Sequence, residues 1–562
     1  MKKIYKLLIF IATTPFTYGQ VAEHVATITH APREVALLKT TAADTINLPI
    51  FDDFSYKSTL PTSAFWSDNK VFINSTIATG LKSIGTATFD GLDEYGFPYN
   101  LNTNLSDTIT DVLTSRFMNF GADTNNLFLT FMYQHGGLGE APEPQDSLTV
   151  QFWSPQDSTW NQVWGIKGTG ISTDFRFASV AISESKFKLP GFRFRFAAYG
   201  APNGAFDVWN IDYVELDSDR SASDTTVQEP AFIKNHPFIT KNFTHLPWFH
   251  FSNTVLQDSI TITYRRNGTP PPGGWALNLG KYFILKDGVQ VKDRLTVPVI
   301  TNLNHNIDID FRIPLQPLNF GAISSEFNIF MRTWFDGTAE GVRSNDTIEI
   351  DIPFKNFYAT DDGSAERAYG VLNQTNARLA FLFQPLQPDT LRGLFINFAH
   401  AGVDVTLNSF KLCVWANNNG QPGNPIYISD SVYIPIYGFY HNDFIPFELE
   451  NGVYIPGDVF IGFIQTTIAG LYVGLDVNTD QPNKFYGNGF NWFNSLATGT
   501  LMIRPYFRYT PLDFNVDENI LDKQIFTVYP NPAQNELHIN NHNQKIFWVL
   551  FNQLGIPVLG GQ

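Results

Sequence analysis

The stretch GFRFRFAAYG, Gly191 to Gly200, decides the fold class. Phe192, Phe194 and Phe196 alternate with Arg193 and Arg195. Successive side chains of a strand point to opposite faces, so the phenylalanines go to one side and the guanidinium groups to the other. The same period returns in DSLTVQFWS with Leu148, Val150 and Phe152, and in DSITITYRRNG with Ile260, Ile262 and Tyr264. DTIEIDIPF repeats it with Ile348, Ile350 and Ile352. Long helical periodicity is nearly absent, and Asn, Asp, Gly and Pro separate the short runs. One face inward and one in solvent is the habit of antiparallel sandwiches, so the expected class is all-β.

Composition agrees. Aromatic residues make up 15% of the 562, with 51 phenylalanines, while charged residues are only 16%. Such a chain is too long for one core, so several sandwich domains are expected. A net charge of −16 without a Lys/Arg cluster excludes a general nucleic-acid binder and a basic lipid-docking patch. Cys413, in FKLCVWA, is the only cysteine. No internal disulfide can form, and alternation places the thiol in a core.

Polar stretches divide the chain. Residues 1–19 read as a secretory signal: Lys2, Lys3 and Lys6 precede a short apolar run from Leu7 to Phe16, and Thr17 and Gly19 suit the cleavage subsites. No later stretch is long and apolar enough for a transmembrane segment. A lead-in (20–46) is followed by a strand-rich block (47–216), the polar linker 217–227 and a second block (228–355) of immunoglobulin-like size and alternation. A third block (356–510), an acidic linker (511–519) and a short β-rich tail (520–562) complete the order. Asn267-Gly268 and Asp287-Gly288 are expected hairpin turns in the second block.

The first block opens with FDDFSY, Phe51 to Tyr56, and closes with FDVWNIDYVEL, where Asp207, Trp209, Ile211, Asp212 and Val214 stand out. These residues resemble the frame of MAM-like jelly-roll domains, including adhesion-type jelly rolls of exported Bacteroidetes proteins. The resemblance implies a lectin-like two-sheet jelly roll over 47–216. The third block reads as a second jelly roll, and Asp361-Asp362-Gly363 near its start echoes Asp52-Asp53.

Candidate chemistry is sparse. Asp52 and Asp53 with Asp207 or Asp212 are candidate ligands of a structural calcium ion, against solvated turn carboxylates as the plainer reading. No other cofactor is expected. His135, Gly136 and Gly137 form an HGG run that could serve an oxyanion hole, but no G-x-S-x-G elbow accompanies it, and a Gly-rich loop is the better reading. Zinc is set aside, because no H-E-x-x-H, Cys pair or close His pair occurs. Trp160 and Trp164, with His135 and Glu140 nearby in loops, are the candidate ligand-binding residues, since an exposed indole can stack on a sugar face. An Asp-Ser/Thr-aliphatic pattern recurs, as in Asp146-Ser147-Leu148 and Asp258-Ser259-Ile260. It resembles the O-glycosylation site of exported Bacteroidetes proteins and equally describes a turn entering a strand.

The tail carries the most specific motif. Tyr529-Pro530-Asn531-Pro532, Leu537, Ile539 and the later LFNQLGIPVL resemble the C-terminal sorting domain of the type IX secretion system. The resemblance implies the type IX machinery as a partner and a secreted or outer-surface destination. The run ends at Gln562, before the further strands typical of that domain, so an incomplete tail sheet is expected. The expected function is an exported binding or adhesion protein with a glycan or surface protein as ligand. A secreted hydrolase acting on polysaccharide or peptide is the alternative.

Overall fold

Alternation of apolar residues becomes strand pairing throughout the computed structural model. It describes residues 21–33 and 45–508, except 104, 106–107, 122–124, 225–226, 270–273, 303, 337–343, 403, 405 and 407, together with the strands 526–529, 538–541, 548–551 and 557–561. The described chain is all-β, with only short 3-10 turns between strands.

The first block is a two-sheet sandwich. One sheet runs Thr159–Lys167, Ser147–Ser154, Arg193–Tyr199, Ile109–Thr114. The other runs Arg176–Ala181, Phe128–His135, Trp209–Asp217, Thr86–Phe89, Phe72–Asn74, and Ile50–Asp52 joins it through Trp209–Asp217. From Phe128 onward the chain crosses between the sheets four times, which locks the two layers together. Phe192, Phe194, Phe196, Leu148, Val150 and Phe152 fill the space against Leu129, Phe131, Trp209 and Ile211. Truncating one such phenylalanine to alanine loses about 3–5 kcal/mol.

The second block has a three-stranded sheet (Pro230–Phe232, Ser259–Arg266, Ile307–Pro314) and a four-stranded sheet (Val289–Arg294, Lys281–Lys286, Phe327–Trp334, Thr347–Phe354). Asp287 and Gly288 both take positive φ, 50° and 78°, and close the expected hairpin between Lys281–Lys286 and Val289–Arg294. Asn267-Gly268 differs from expectation. The strand ending at Arg266 pairs with Pro230–Phe232 and Ile307–Pro314, so no hairpin forms there. Asn267 is instead buried, and its Nδ2 donates to the Lys82 carbonyl at 2.8 Å and to the Tyr213 hydroxyl at 3.1 Å, tying the second block to the first.

The third block has a six-stranded sheet (Gln421–Ile428, Phe410–Asn418, Val459–Gln465, Arg378–Phe383, Lys484–Gly487, Trp492–Asn494) and a three-stranded one (Ile445–Ile455, Asp389–Ile396, Ile503–Phe507). Cys413 is buried in it, and burial pushes its thiol pKa up. A further sheet reaches across the molecule. Ala22–Ala26 pairs with Arg367–Leu372, which continues to Val473–Asp476 and Thr500–Leu501. The lead-in then crosses to the first block, where Arg33 pairs with buried Asp90 and lies 4.2 Å over the Phe72 ring. Residues 21–33 thus form a strap between the first and third blocks. In the tail, Phe526–Tyr529 pairs with His538–Asn541 and Trp548–Phe551 with Pro557–Gly561, as two separate two-stranded pairs. Pro530, Asn531 and Pro532, and the signal-like residues 1–19, lie outside the described residues.

The recurring Asp-Ser/Thr-aliphatic pattern marks strand starts: Ser147, Ser259 and Thr347 each open a strand. The Asp supplies turn chemistry before the β-branched or aliphatic run begins.

Candidate functional site

The alternation that buries the phenylalanines of the first sandwich also dictates what its four-stranded sheet shows to solvent. Arg193 lies opposite Trp153, Arg195 opposite Gln151, and Trp160 opposite Trp153 from the other side. Their side chains therefore share one face across three strands. The Trp153 and Trp160 rings meet edge to face at 5.6 Å. The Arg193 guanidinium sits 5.2 Å from the Trp160 ring, 5.6 Å from Trp153 and 4.6 Å from Phe117, and Arg195 sits 4.4 Å over Trp160. Each such contact is worth about 0.5–1 kcal/mol at an exposed site and more when desolvated.

Hydrogen bonds fix Arg195 in place. Arg195 Nε donates to Gln151 Oε1 at 2.9 Å, and Gln151 Nε2 donates to the Tyr199 hydroxyl at 3.3 Å. Burial lowers the pKa of both guanidinium groups, and Asp68 opposes that shift. Asp68 accepts the Thr114 N–H at 3.0 Å at the border of the face, and burial pushes its carboxyl up to about 6. Arg193 Nε is buried and donates to no protein group. The two tryptophans and two arginines are half-buried. Such a surface can stack on a flat apolar ring face while offering charged donors to the ring's substituents.

Trp164 does not belong to this face. The register slips between Gln162 and Trp164, so Trp164 lies opposite Val150, a core position. Its ring packs at 5.1 Å on Phe131 and 5.2 Å on Tyr133 and lines an open cleft of about 450 Å³ with Ser179, Ser183 and Glu184. His135 is fully buried, edge-on to Trp209 at 4.5 Å, and burial lowers its pKa. Glu140 is half-buried in the loop after Phe128–His135, and burial and then Glu143 push its carboxyl up, opposed by Arg367.

The four expected calcium ligands do not converge. Asp52 accepts the Trp66 indole N–H at 2.7 Å and the Phe54 N–H at 3.0 Å, and burial pushes it up to about 7. Asp53 accepts from Asn345 Nδ2 at 2.7 Å and from Ser55. Asp212 is fully buried and accepts the Tyr213 N–H at 2.7 Å, and burial followed by the charge of Asp53 raises it well above the carboxylate range. Asp207 stands apart, in the loop before Trp209–Asp217, where it meets Glu143 and Asp146 with one carboxylate oxygen of each within 4.8 Å of the others. Sequence reasoning missed Asp146 as a ligand and did not group Glu143 with Asp207, because the two loops are distant along the chain. It also missed Trp153, Arg193 and Arg195 as site residues, although their alternation was the available signal.

No family model matches the chain, and no curated protein matches it. Solved structures that match include a carbohydrate-binding module, CBM27-1 of Caldicellulosiruptor saccharolyticus, in complex with mannohexaose. It is 13% identical with a TM-score of 0.19, covering 31% of this chain and 99% of that one. The glycoside hydrolase domain of Endo-D from Streptococcus pneumoniae R6 is 10% identical with a TM-score of 0.20, covering 52% of this chain and 38% of that one. A GH2 beta-galacturonidase from Eisenbergiella tayi, bound to galacturonate, is 12% identical with a TM-score of 0.19, covering 56% and 47%. At these TM-scores the likenesses decide nothing about ligand or reaction.

Proposed function

We propose that the protein is an exported glycan-binding protein and that its first sandwich holds the ligand on the Trp153, Trp160, Arg193 and Arg195 face. The observation that carries this reading is the half-buried ladder of two indoles and two guanidinium groups on one rigid sheet. Indole faces stack on the C–H face of a pyranose, and guanidinium groups pair with carboxylates in a planar fork. The ligand is therefore a polysaccharide that contains uronic acid. Export rests on the lysine-led apolar start at residues 1–19 and on the Tyr529-Pro530-Asn531-Pro532 tail, read as a type IX sorting motif that delivers the protein to the outer surface or the medium. No helix among the described residues is long and apolar enough to cross a membrane.

Affinity electrophoresis of the full chain in gels containing alginate, pectate, mannan or laminarin tests the ligand. Retardation is expected in the two acidic polymers. Trp160→Ala is expected to weaken that binding by about tenfold, near 1–2 kcal/mol, and Arg195→Gln by a similar factor that shrinks with salt. Equal migration of wild type and both variants in every gel overturns the assignment. Cleavage of a polysaccharide that disappears in Glu140→Gln would support the hydrolase alternative instead.

A further inference from the structure

We propose a calcium site in the first sandwich, formed by Glu143, Asp146 and Asp207. The site clamps the loop between Phe128–His135 and Ser147–Ser154 to the loop before Trp209–Asp217. One oxygen from each carboxylate lies within 4.8 Å of the other two, a span that a single ion of calcium size can bridge. Asp207 is 5% exposed and Asp146 is 0% exposed.

A second observation points to a ligand. Asp146 Oδ2 accepts the Glu143 N–H at 2.7 Å, whereas Asp146 Oδ1 receives no hydrogen bond despite complete burial. A buried carboxylate oxygen without a partner is costly, by about 1–3 kcal/mol or more for a charged group. Protein groups satisfy the surroundings but not this atom. Asp207 Oδ2 accepts the Ala201 N–H at 2.7 Å, the Glu143 carbonyl accepts the Asp146 N–H at 3.0 Å, and the Pro142 carbonyl accepts the Gly170 N–H at 2.7 Å. Among the described residues no lysine, arginine or histidine forms an ion pair with any of the three acids. Two buried carboxyl groups and one partly buried one therefore face one another, with no counter-charge paired to them among the described residues.

The donor set names the ion. It is all oxygen, which excludes the nitrogen and sulfur preference of zinc. Calcium takes six to eight oxygens at about 2.3–2.6 Å in adaptable geometry, so three carboxylates, loop carbonyls and water can complete it. Magnesium demands a stricter octahedron at about 2.0–2.1 Å and keeps more of its water. The two loops are already joined by the Val208 N–H on the Glu140 carbonyl at 2.9 Å and the Gly136 N–H on the Val208 carbonyl at 2.8 Å. An ion here would set their spacing at the end of the sandwich where Ser147–Ser154 begins. Trp153 lies at the other end of that strand, roughly 20 Å away at about 3.3 Å per residue. The cation site and the glycan face can therefore fail independently.

The test uses the full chain stripped with EDTA and dialysed. Calorimetric titration with calcium chloride is expected to show a site that Asp146→Asn and Asp207→Asn each weaken by at least about tenfold, with magnesium binding more weakly than calcium. Calcium is also expected to raise the melting temperature of the wild type and not that of the two variants. Glu143→Gln, at a half-exposed position, provides the same reading should either buried substitution prevent folding. Asp362→Asn, in the third block, is expected to leave the titration unchanged. The absence of any calcium heat up to about 10 mM overturns the proposal, as does wild-type affinity in the folded Glu143, Asp146 or Asp207 variants. Equal or tighter binding of magnesium overturns the assignment to calcium.

Discussion

Two turns with nearly the same sequence, Asp52-Asp53-Phe54-Ser55 in the first block and Asp361-Asp362-Gly363-Ser364 in the third, share a hydrogen-bond pattern and a positive φ but have different fates. In both, the second Asp accepts two hydrogen bonds from the serine two residues on: Ser55 N–H and hydroxyl at 3.2 and 2.7 Å, Ser364 N–H and hydroxyl at 2.9 and 2.6 Å. In both, the residue between them takes positive φ, 54° at Phe54 and 97° at Gly363. The first acids diverge. Asp361 receives both arms of the Arg504 guanidinium, while Asp52 is held by the Trp66 indole and the Phe54 N–H, with no cation among its hydrogen-bond partners. One local motif thus supports a buried ion pair in one sandwich and, in the other, a buried carboxyl whose pKa burial raises. The turn is a backbone device, and its chemistry comes from what the rest of each sandwich brings to it.

The largest expected effect breaks the ion pair. Arg504→Ala leaves the Asp361 carboxylate buried and unpaired, and its expected loss is about 3–5 kcal/mol, read as a shift of the urea midpoint. Phe54→Gly comes next. Phe54 is fully buried and stacked on Trp66 at 6.0 Å, so removing the ring loses about 3–5 kcal/mol. Relief of the left-handed backbone returns about 1–2 kcal/mol, for a net loss of about 1–4 kcal/mol. Phe54 occupies a glycine position because the core needs its ring.

Asp52 supplies the pH test. Its folded pKa is raised from 3.8 to about 7, so between these values the folded chain holds a proton that the unfolded chain has released. Its contribution to stability is full below about pH 4 and is lost as the pH rises through about 7. Asp52→Asn removes that proton exchange. Relative to the variant, the wild type is expected to lose up to about 1.4 kcal/mol per pH unit across the window, measured by urea unfolding at pH 5 and pH 7. The smallest effect is Gly363→Ala. A Cβ there meets only Arg504 Nη2 at 3.6 Å, so the cost is backbone strain of about 1 kcal/mol, seen as a fall of the melting temperature.

Sheets were legible in the sequence wherever one face is apolar, because a period of two leaves a strong local trace. Gly191 to Gly200 reads directly as the strand Arg193–Tyr199 with phenylalanines inward. The partners of each strand left no such trace. Trp160 and Trp164 have the same parity in sequence, and only the register slip after Gln162 turns Trp164 into the core. Asp207 read as part of the closing strand, yet it lies in the loop before Trp209–Asp217, where Glu143 and Asp146 reach it from a loop some sixty residues earlier. His135 read as a loop residue because of the glycines beside it, yet it ends a buried strand. Asn267-Gly268 has the composition of a hairpin turn, and its side chain bonds to another block instead.

The strap at residues 21–33 has a consequence for the order in which the molecule assembles. Glu23 accepts a hydrogen bond from Tyr369, 346 positions along the chain, and Ala22–Ala26 forms the outermost strand of its sheet. Closing a loop of that length costs about 5 kcal/mol of chain entropy beyond the constant term, so the contact order of this one strand is far above that of the hairpins around it. The strand precedes its partner Arg367–Leu372 in synthesis by more than 300 residues. Until it seats, Arg367–Leu372 presents an open row of backbone donors and acceptors, the kind of edge to which a second chain can add.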